Sequence, residues 1–330
     1  MNATAAGGVA GTPPREAATR GAGEAGPPKK GGIKNKLLIV AGVYVAGLIA
    51  LVAIYGFKGT RNKAYEPQNE FKLKDWISIH LGSVDLSVNK AVMYLLIAAV
   101  LTCLTMIWVA RRMQARPNKV QTAIEAIFQL MRDNITGSAM TDEMARKWFP
   151  FVGTLFLFIL FSNLIGYIPL PTNTDDKINI FGAHIPAFSL YAATANLSVP
   201  LILALVVFFS YTFEGVRAKG PLGYLKGLIP GGVTGGIAIF IFGLEVLSNL
   251  MRILSLTIRL FANILAGHLI ILFFAGALAV LLGVAWLGWF ALPFGILLFG
   301  FEVSLVAALQ AFIFATLTAI YLGGAVAAEH

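Results

Sequence analysis

The chain has 330 residues, of which 58% are hydrophobic and only 12% charged, with a mean hydropathy of +0.78. A soluble domain carries roughly 25% charged residues, so water is not the main solvent of this chain. The net charge of +9 sits beside apolar runs, where lipid head groups and topology signals favour basic residues, and this placement argues against nucleic acid as a partner.

Residues 1–32 are rich in Gly, Ala and Pro with almost no large apolar side chains. They read as a disordered tail, because such a segment buries too little surface to offset its ordering entropy. A basic cluster of Lys29, Lys30, Lys34 and Lys36 precedes an uncharged apolar run at 37–57. About 20 apolar residues span a bilayer, so this run predicts a transmembrane helix; with its basic flank it makes a domain over 33–57. A second span covers about 91–110, stops at Arg111-Arg112 and contains the lone cysteine, Cys103, which reads as a packed thiol.

Residues 117–147 differ. Apolar Val120, Ile124, Ile127, Phe128 and Met131 recur at helical spacing between polar Lys119, Gln121, Glu125, Gln129 and Arg132. That pattern predicts an amphipathic helix on the membrane surface or against partner subunits. A third span covers about 149–168. A polar loop with Asp175, Asp176, Lys177 and His184 follows, read as solvated rather than metal-binding. A fourth span covers about 190–213. Residues 233–283 are too long for one upright crossing, predicting either a hairpin or a steeply tilted helix, and 294–325 raises the same choice.

The fold class is therefore all-α integral membrane, with about six membrane helices and one amphipathic surface helix. If the N-terminus is inside and each early span crosses once, inside segments hold sixteen Lys/Arg and outside segments six. The positive-inside rule then sets a cytoplasmic N-terminus, and six crossings return the C-terminus to the same side. No internal repeat marks an inverted-repeat transporter.

The chemistry lies in 233–283. Glu245, Ser248, Arg252, Ser255, Arg259 and Asn263 are spaced 3, 4, 3, 4 and 4, on one helix face, among Leu, Ile, Val, Phe and Met. An arginine at bilayer depth costs at least about 2.5 kcal/mol and keeps its charge, so it must face protein or water. Arg252, nearer the basic loop, reads as an internal ion pair with Glu245 or a snorkelling side chain. The flanks of Arg259 supply no anion, which implies one brought by a partner. His268, nine residues on, lies on roughly the opposite face and can titrate near neutral pH. Glu302 and Gln310 are the main polar groups of the last apolar region. With His268, Glu302 suggests an aqueous path entering from one side.

The run Leu254-Ser255-Leu256-Thr257-Ile258-Arg259-Leu260-Phe261-Ala262-Asn263-Ile264-Leu265-Ala266-Gly267-His268 closely resembles the signature of subunit a of F-type ATP synthases. Gln310-Ala311-Phe312-Ile313-Phe314 and Phe161-Ser162-Asn163-Leu164-Ile165-Gly166-Tyr167-Ile168-Pro169 resemble other helices of that family, and the resemblance covers about 75–330. It makes 58–330 an ion-translocating membrane domain. It implies that Arg259 faces a ring of c subunits bearing carboxylates and separates two aqueous half-channels, coupling ion flow to rotation and ATP synthesis. Asn263 and Gln310 match polar positions flanking the arginine, and His268 and Glu302 a half-channel pair. Glu245, Arg252, Asn196 and Ser198 match further polar positions. The implied partners are the c ring, peripheral-stalk b subunits and lipid, in an energy-coupling membrane such as the bacterial plasma membrane. The transported ion is H⁺ or Na⁺, a choice made by the ring's carboxylate sites. No cofactor is implied, and no phosphate-binding glycine loop is present, so nucleotide chemistry belongs to other subunits.

Three features depart from the family, one of them a loop between Asn263 and Gln310 that is longer than in shorter relatives. Glu302 precedes Gln310 by eight residues, where the resemblance implies seven; on an ideal helix this rotates it by about 80°, unless a bulge restores it. Residues 37–57 add a helix before the usual first one. The alternative of a stand-alone cation transporter or channel would need its own counter-charge for Arg259. A purely structural anchor would have no use for the stripe.

Overall fold

The computed structural model describes residues 90–112, 119–180, 183–229, 235–274 and 285–326, with separate positions between 38 and 89. The chain divides into two compact units, Met1–Ala50 and Leu51–His330. In the first, residues 42–47 are helical; the predicted tail 1–32 and much of the span 37–57 lie outside the described residues.

The second unit is a helical membrane bundle. Its helices are α1 (Lys90–Arg112), α2 (Lys119–Gln129), α3 (Asp142–Gly166), α4 (Ser198–Lys219), α5 (Gly236–Leu272), α6 (Ala285–Phe301) and α7 (Ala307–Val326). Among the described residues, α1, α3, α4, α5 and the run Ala291–Val326 are long and apolar enough to cross a membrane. The all-α integral membrane class expected from the sequence is what the chain adopts.

Several boundaries differ from the sequence reading. The amphipathic helix predicted over 117–147 stops at Gln129, where the chain widens into a π-helix, Leu130–Thr136. Met131, Ile135 and Thr136 of that turn are buried, so the segment packs into the bundle instead of lying wholly on the surface. Thr141 is extended, and α3 starts directly after it, ahead of the predicted 149. Asp142 and Glu143 occupy its first turn, where negative charge meets the positive end of the helix dipole. The predicted loop after α3 is an antiparallel hairpin, Leu170–Ile180 with Ala183–Ser189, pairing Asn179 with His184. The fourth span starts at Ser198 rather than 190, because Ala193–Ala195 form a separate 3₁₀ turn. Within 236–272 there is no hairpin: α5 is one helix of 37 residues, about 55 Å long against about 30 Å of hydrocarbon.

The core lies where α3, α4 and α7 meet the inner face of α5. Ala307, Ala311, Ala315 and Ala319, each fully buried, form a row of small residues along α7 that lets neighbouring helices approach closely. At Gly323 on the same helix, a Cβ would run into the Ala139 backbone carbonyl, so only glycine fits that contact. On α1, Ala91, Tyr94 and Ala98 face inward, whereas Leu96, Val100, Leu104 and Ile107 are exposed. Cys103 is also exposed, which corrects the packed-thiol expectation: it sits on the uncovered side of α1.

Candidate functional site

Helix α5 carries two different faces. Leu256, Leu260, Ile264 and His268 recur every four residues and are buried against the bundle, with Thr257, Gly267 and Ile271 beside them. Leu250, Met251, Leu254 and Ile258 are exposed. The polar stripe runs along this uncovered side: Ser255 and Asn263 are exposed, and Glu245, Ser248, Arg252 and Arg259 are half-buried.

The two arginines of the stripe have different surroundings. Arg252 pairs with Glu245 at 3.8 Å, and its guanidinium lies 5.3 Å from the centre of the Tyr321 ring. Both lie in a polar recess of about 310 Å³ that Tyr211, Lys219, Tyr224 and Asn249 also line. Tyr211 Oη donates to Asn249 Oδ1 at 3.1 Å, and Asn249 Nδ2 donates to the Glu245 carbonyl at 3.1 Å. Arg259, among the described residues, reaches only the Ser255 hydroxyl, at 3.4 Å. Among the described residues, no carboxylate lies within ion-pair distance of Arg259.

The inner face carries a second polar group. His268 is fully buried, with Nδ1 3.0 Å from the Ile264 carbonyl and Nε2 3.1 Å from the Gly166 carbonyl. A neutral imidazole has one N–H and can satisfy one of these acceptors; the protonated ring satisfies both. Tyr167, at the end of α3, stacks on the imidazole with centroids 4.5 Å apart and donates its hydroxyl to Glu302 Oε2 at 3.1 Å. A Cβ at Gly267 would land on the Glu302 carboxylate, so the missing side chain is what leaves room for it.

The spacing of Glu302 and Gln310 is resolved by a π-helix at Glu302–Val306, closed by a bond from the Ala307 N–H to the Glu302 carbonyl. A turn closed at i+5 holds one residue more than an α-turn. Eight residues therefore cover the advance of seven. Glu302 points to Gly267 and Tyr167, and Gln310 is buried on α7.

Not every predicted residue joins these groups. Asn196 is half-buried, and its Oδ1 accepts the Ser198 N–H at 3.1 Å, a local bond at the start of α4; Ser198 is exposed. Several other polar residues had no assigned role. Asn163, fully buried, donates to the Ala307 carbonyl at 3.3 Å and accepts from Thr194 Oγ1 at 2.8 Å. Lys147 on α3 pairs with Glu214 on α4. Tyr167 is another. Asn163 and Tyr167 are four apart in an apolar helix, the same kind of one-face spacing that exposed the α5 stripe.

Residues 92–323 match the family model described as ATP synthase A chain. The chain belongs to this family. It is 34% identical over 272 residues to ATP synthase subunit a of Hyphomonas neptunium, covering 81% of this chain and 98% of that one. It is 34% identical over 256 residues to ATP synthase subunit a of Rubrobacter xylanophilus, covering 77% and 90%. With ATP synthase subunit a of Pelagibacter ubique the identity is 32% over 268 residues, covering 81% and 100%. The matched range spans Arg259, His268 and Glu302 of this chain and begins after residues 37–57.

Proposed function

We propose that the chain is the ion-translocating stator subunit of an F-type ATP synthase, with no nucleotide chemistry of its own. In this reading Arg259 faces the carboxylates of a c-subunit ring, and ion flow past it drives rotation and ATP synthesis. The observation that carries it is the contrast on one stripe: Arg252 finds Glu245 in its own chain, and Arg259, a permanent cation, finds no carboxylate among the described residues. A fixed cation on an uncovered apolar face attracts a carboxylate strongly in low dielectric. Asn263, exposed one turn further on, extends the same contact surface.

The two polar groups flank Arg259 along α5. Arg252 lies seven residues before it and His268 nine after, about 10 Å and about 14 Å along the axis. With the N-terminal end of α5 on the basic, cytoplasmic side, the Glu245–Arg252 recess opens a half-channel to the cytoplasm. His268, Glu302 and Gln310 line the other one. Asn196 and Ser198 edge the path at the start of α4. Offset water access on either side of the arginine lets a ring carboxylate exchange its ion without a continuous leak. The ring's carboxylate sites choose between H⁺ and Na⁺; His268, which binds and releases a proton, favours H⁺. The c ring, b subunits of a peripheral stalk and the surrounding lipid are the partners, and a bacterial plasma membrane with both termini cytoplasmic is the location.

Replacing Arg259 by Ala or Gln in membrane vesicles is expected to abolish ATP synthesis driven by an ion gradient. Retained synthesis would refute the role given to Arg259. Cysteines placed at exposed positions of α5, such as Leu254 or Ile258, are expected to cross-link to a small oligomeric membrane protein. No such product would leave the arginine without its rotor.

A further inference from the structure

Tyr167 is absent from the mechanism above, yet it touches both titratable groups of the inner face. Its ring lies against His268 at 4.5 Å, with 28° between the planes, and meets Phe299 edge-on at 5.8 Å. Its hydroxyl donates to Glu302 Oε2 at 3.1 Å, across 135 residues of sequence. The side chain is almost wholly buried. Gly267, between His268 and the carboxylate, contributes no side chain of its own.

We infer that Tyr167 is a positioning residue for proton exchange at Glu302, an assignment that rests on the half-channel reading above. Two constraints make this a specific role. The π-turn at Glu302–Val306 decides which way Glu302 points, but a glutamate side chain keeps several rotatable bonds beyond that turn. A single directional donor on a ring wedged between His268 and Phe299 selects one of those arrangements. Because one rigid side chain holds the carboxylate and covers the imidazole, the two groups stay at fixed separation as either gains or loses a proton. Phenylalanine here would keep the ring contacts with His268 and Phe299 and supply no donor.

Tyr167→Phe separates donor from ring, and the test uses vesicles holding the assembled complex, stripped of its soluble head. Expected are normal amounts of assembled subunit and passive proton conduction lowered roughly tenfold, the scale of one hydrogen bond to an ionisable group. The carboxyl stretch of Glu302 should also move in pH-difference infrared spectra of the complex, with the band assigned by its loss in Glu302→Gln. Tyr167→Leu, which removes the ring as well, should lower assembly. If Tyr167→Phe conducts at the parental rate and the band stays in place while Glu302→Gln is blocked, the positioning role is overturned and the half-channel survives. If Glu302→Gln itself conducts at the parental rate, the half-channel reading and this inference fall together.

Discussion

The two faces of α5 solve opposite problems with the same residue types. On the inner face, the His268 cluster finds partners within the chain: His268 lies against two backbone carbonyls, one of which a neutral ring satisfies, and Glu302 accepts from Tyr167. On the outer face, the apolar residues are uncovered and Arg259, among the described residues, has only a 3.4 Å contact to Ser255. A polar group in a low-dielectric setting is costly unless partnered. The inner face is therefore partnered within the fold, and on the outer face Arg259 finds no counter-charge among the described residues. Substitutions should sort accordingly: inner changes act on the fold or on local geometry, outer ones on coupling to a neighbour.

The largest effect is the loss of coupled synthesis expected for Arg259→Ala, with the subunit still inserted and assembled, because among the described residues only the 3.4 Å contact to Ser255 is removed. Asn163→Ala should do the reverse. It strips the amide from the buried Ala307 carbonyl and the Thr194 hydroxyl, at a cost of about 1–3 kcal/mol. Thermal dissociation of the complex in detergent should shift downward, with coupling intact in whatever remains assembled. Gly267→Ala is subtler. Its Cβ would collide with the Glu302 carboxylate, the far end of a flexible side chain, so the carboxylate swings aside at little expense to the fold. Conduction should drop roughly tenfold, about 1.4 kcal/mol in the barrier, with assembly near normal. Normal conduction would mean the carboxylate position is not critical.

Much of this was legible in the sequence, because periodicity reports which residues share a helix face. It ordered Glu245, Arg252, Arg259 and Asn263 on one side of α5 and put His268 opposite, and the structure keeps that arrangement. What periodicity does not carry is the partner on another helix. Tyr167 meets Glu302 across 135 positions and Asn163 meets Ala307 across 144, contacts created by packing alone. The eight-residue offset of Glu302 marked an irregularity, but the π-turn that resolves it depends on how α6 and α7 seat against α3 and α5. The hairpin after α3 was hidden for another reason. Its first strand is rich in Asn, Asp and Thr, so composition reads as loop, and only the antiparallel register reveals the pairing.

The smallest expected effect tests whether the outer face is wet. Glu245 and Arg252 sit 3.8 Å apart with side chains 37% and 39% exposed, in the recess shared with Lys219 and Tyr321. If water fills that recess, as a half-channel requires, the pair contributes about 0–1 kcal/mol, since solvent screens it and two long side chains are ordered to make it. The contact with the Tyr321 ring adds roughly 0.5–1 kcal/mol at an exposed site. Arg252→Gln should therefore shift the thermal dissociation of the complex only slightly. In a dry recess, removing one partner strands a carboxylate in low dielectric at about 3–5 kcal/mol. A loss on that larger scale would show that the recess carries no water, and the cytoplasmic path to Arg259 would have to run elsewhere.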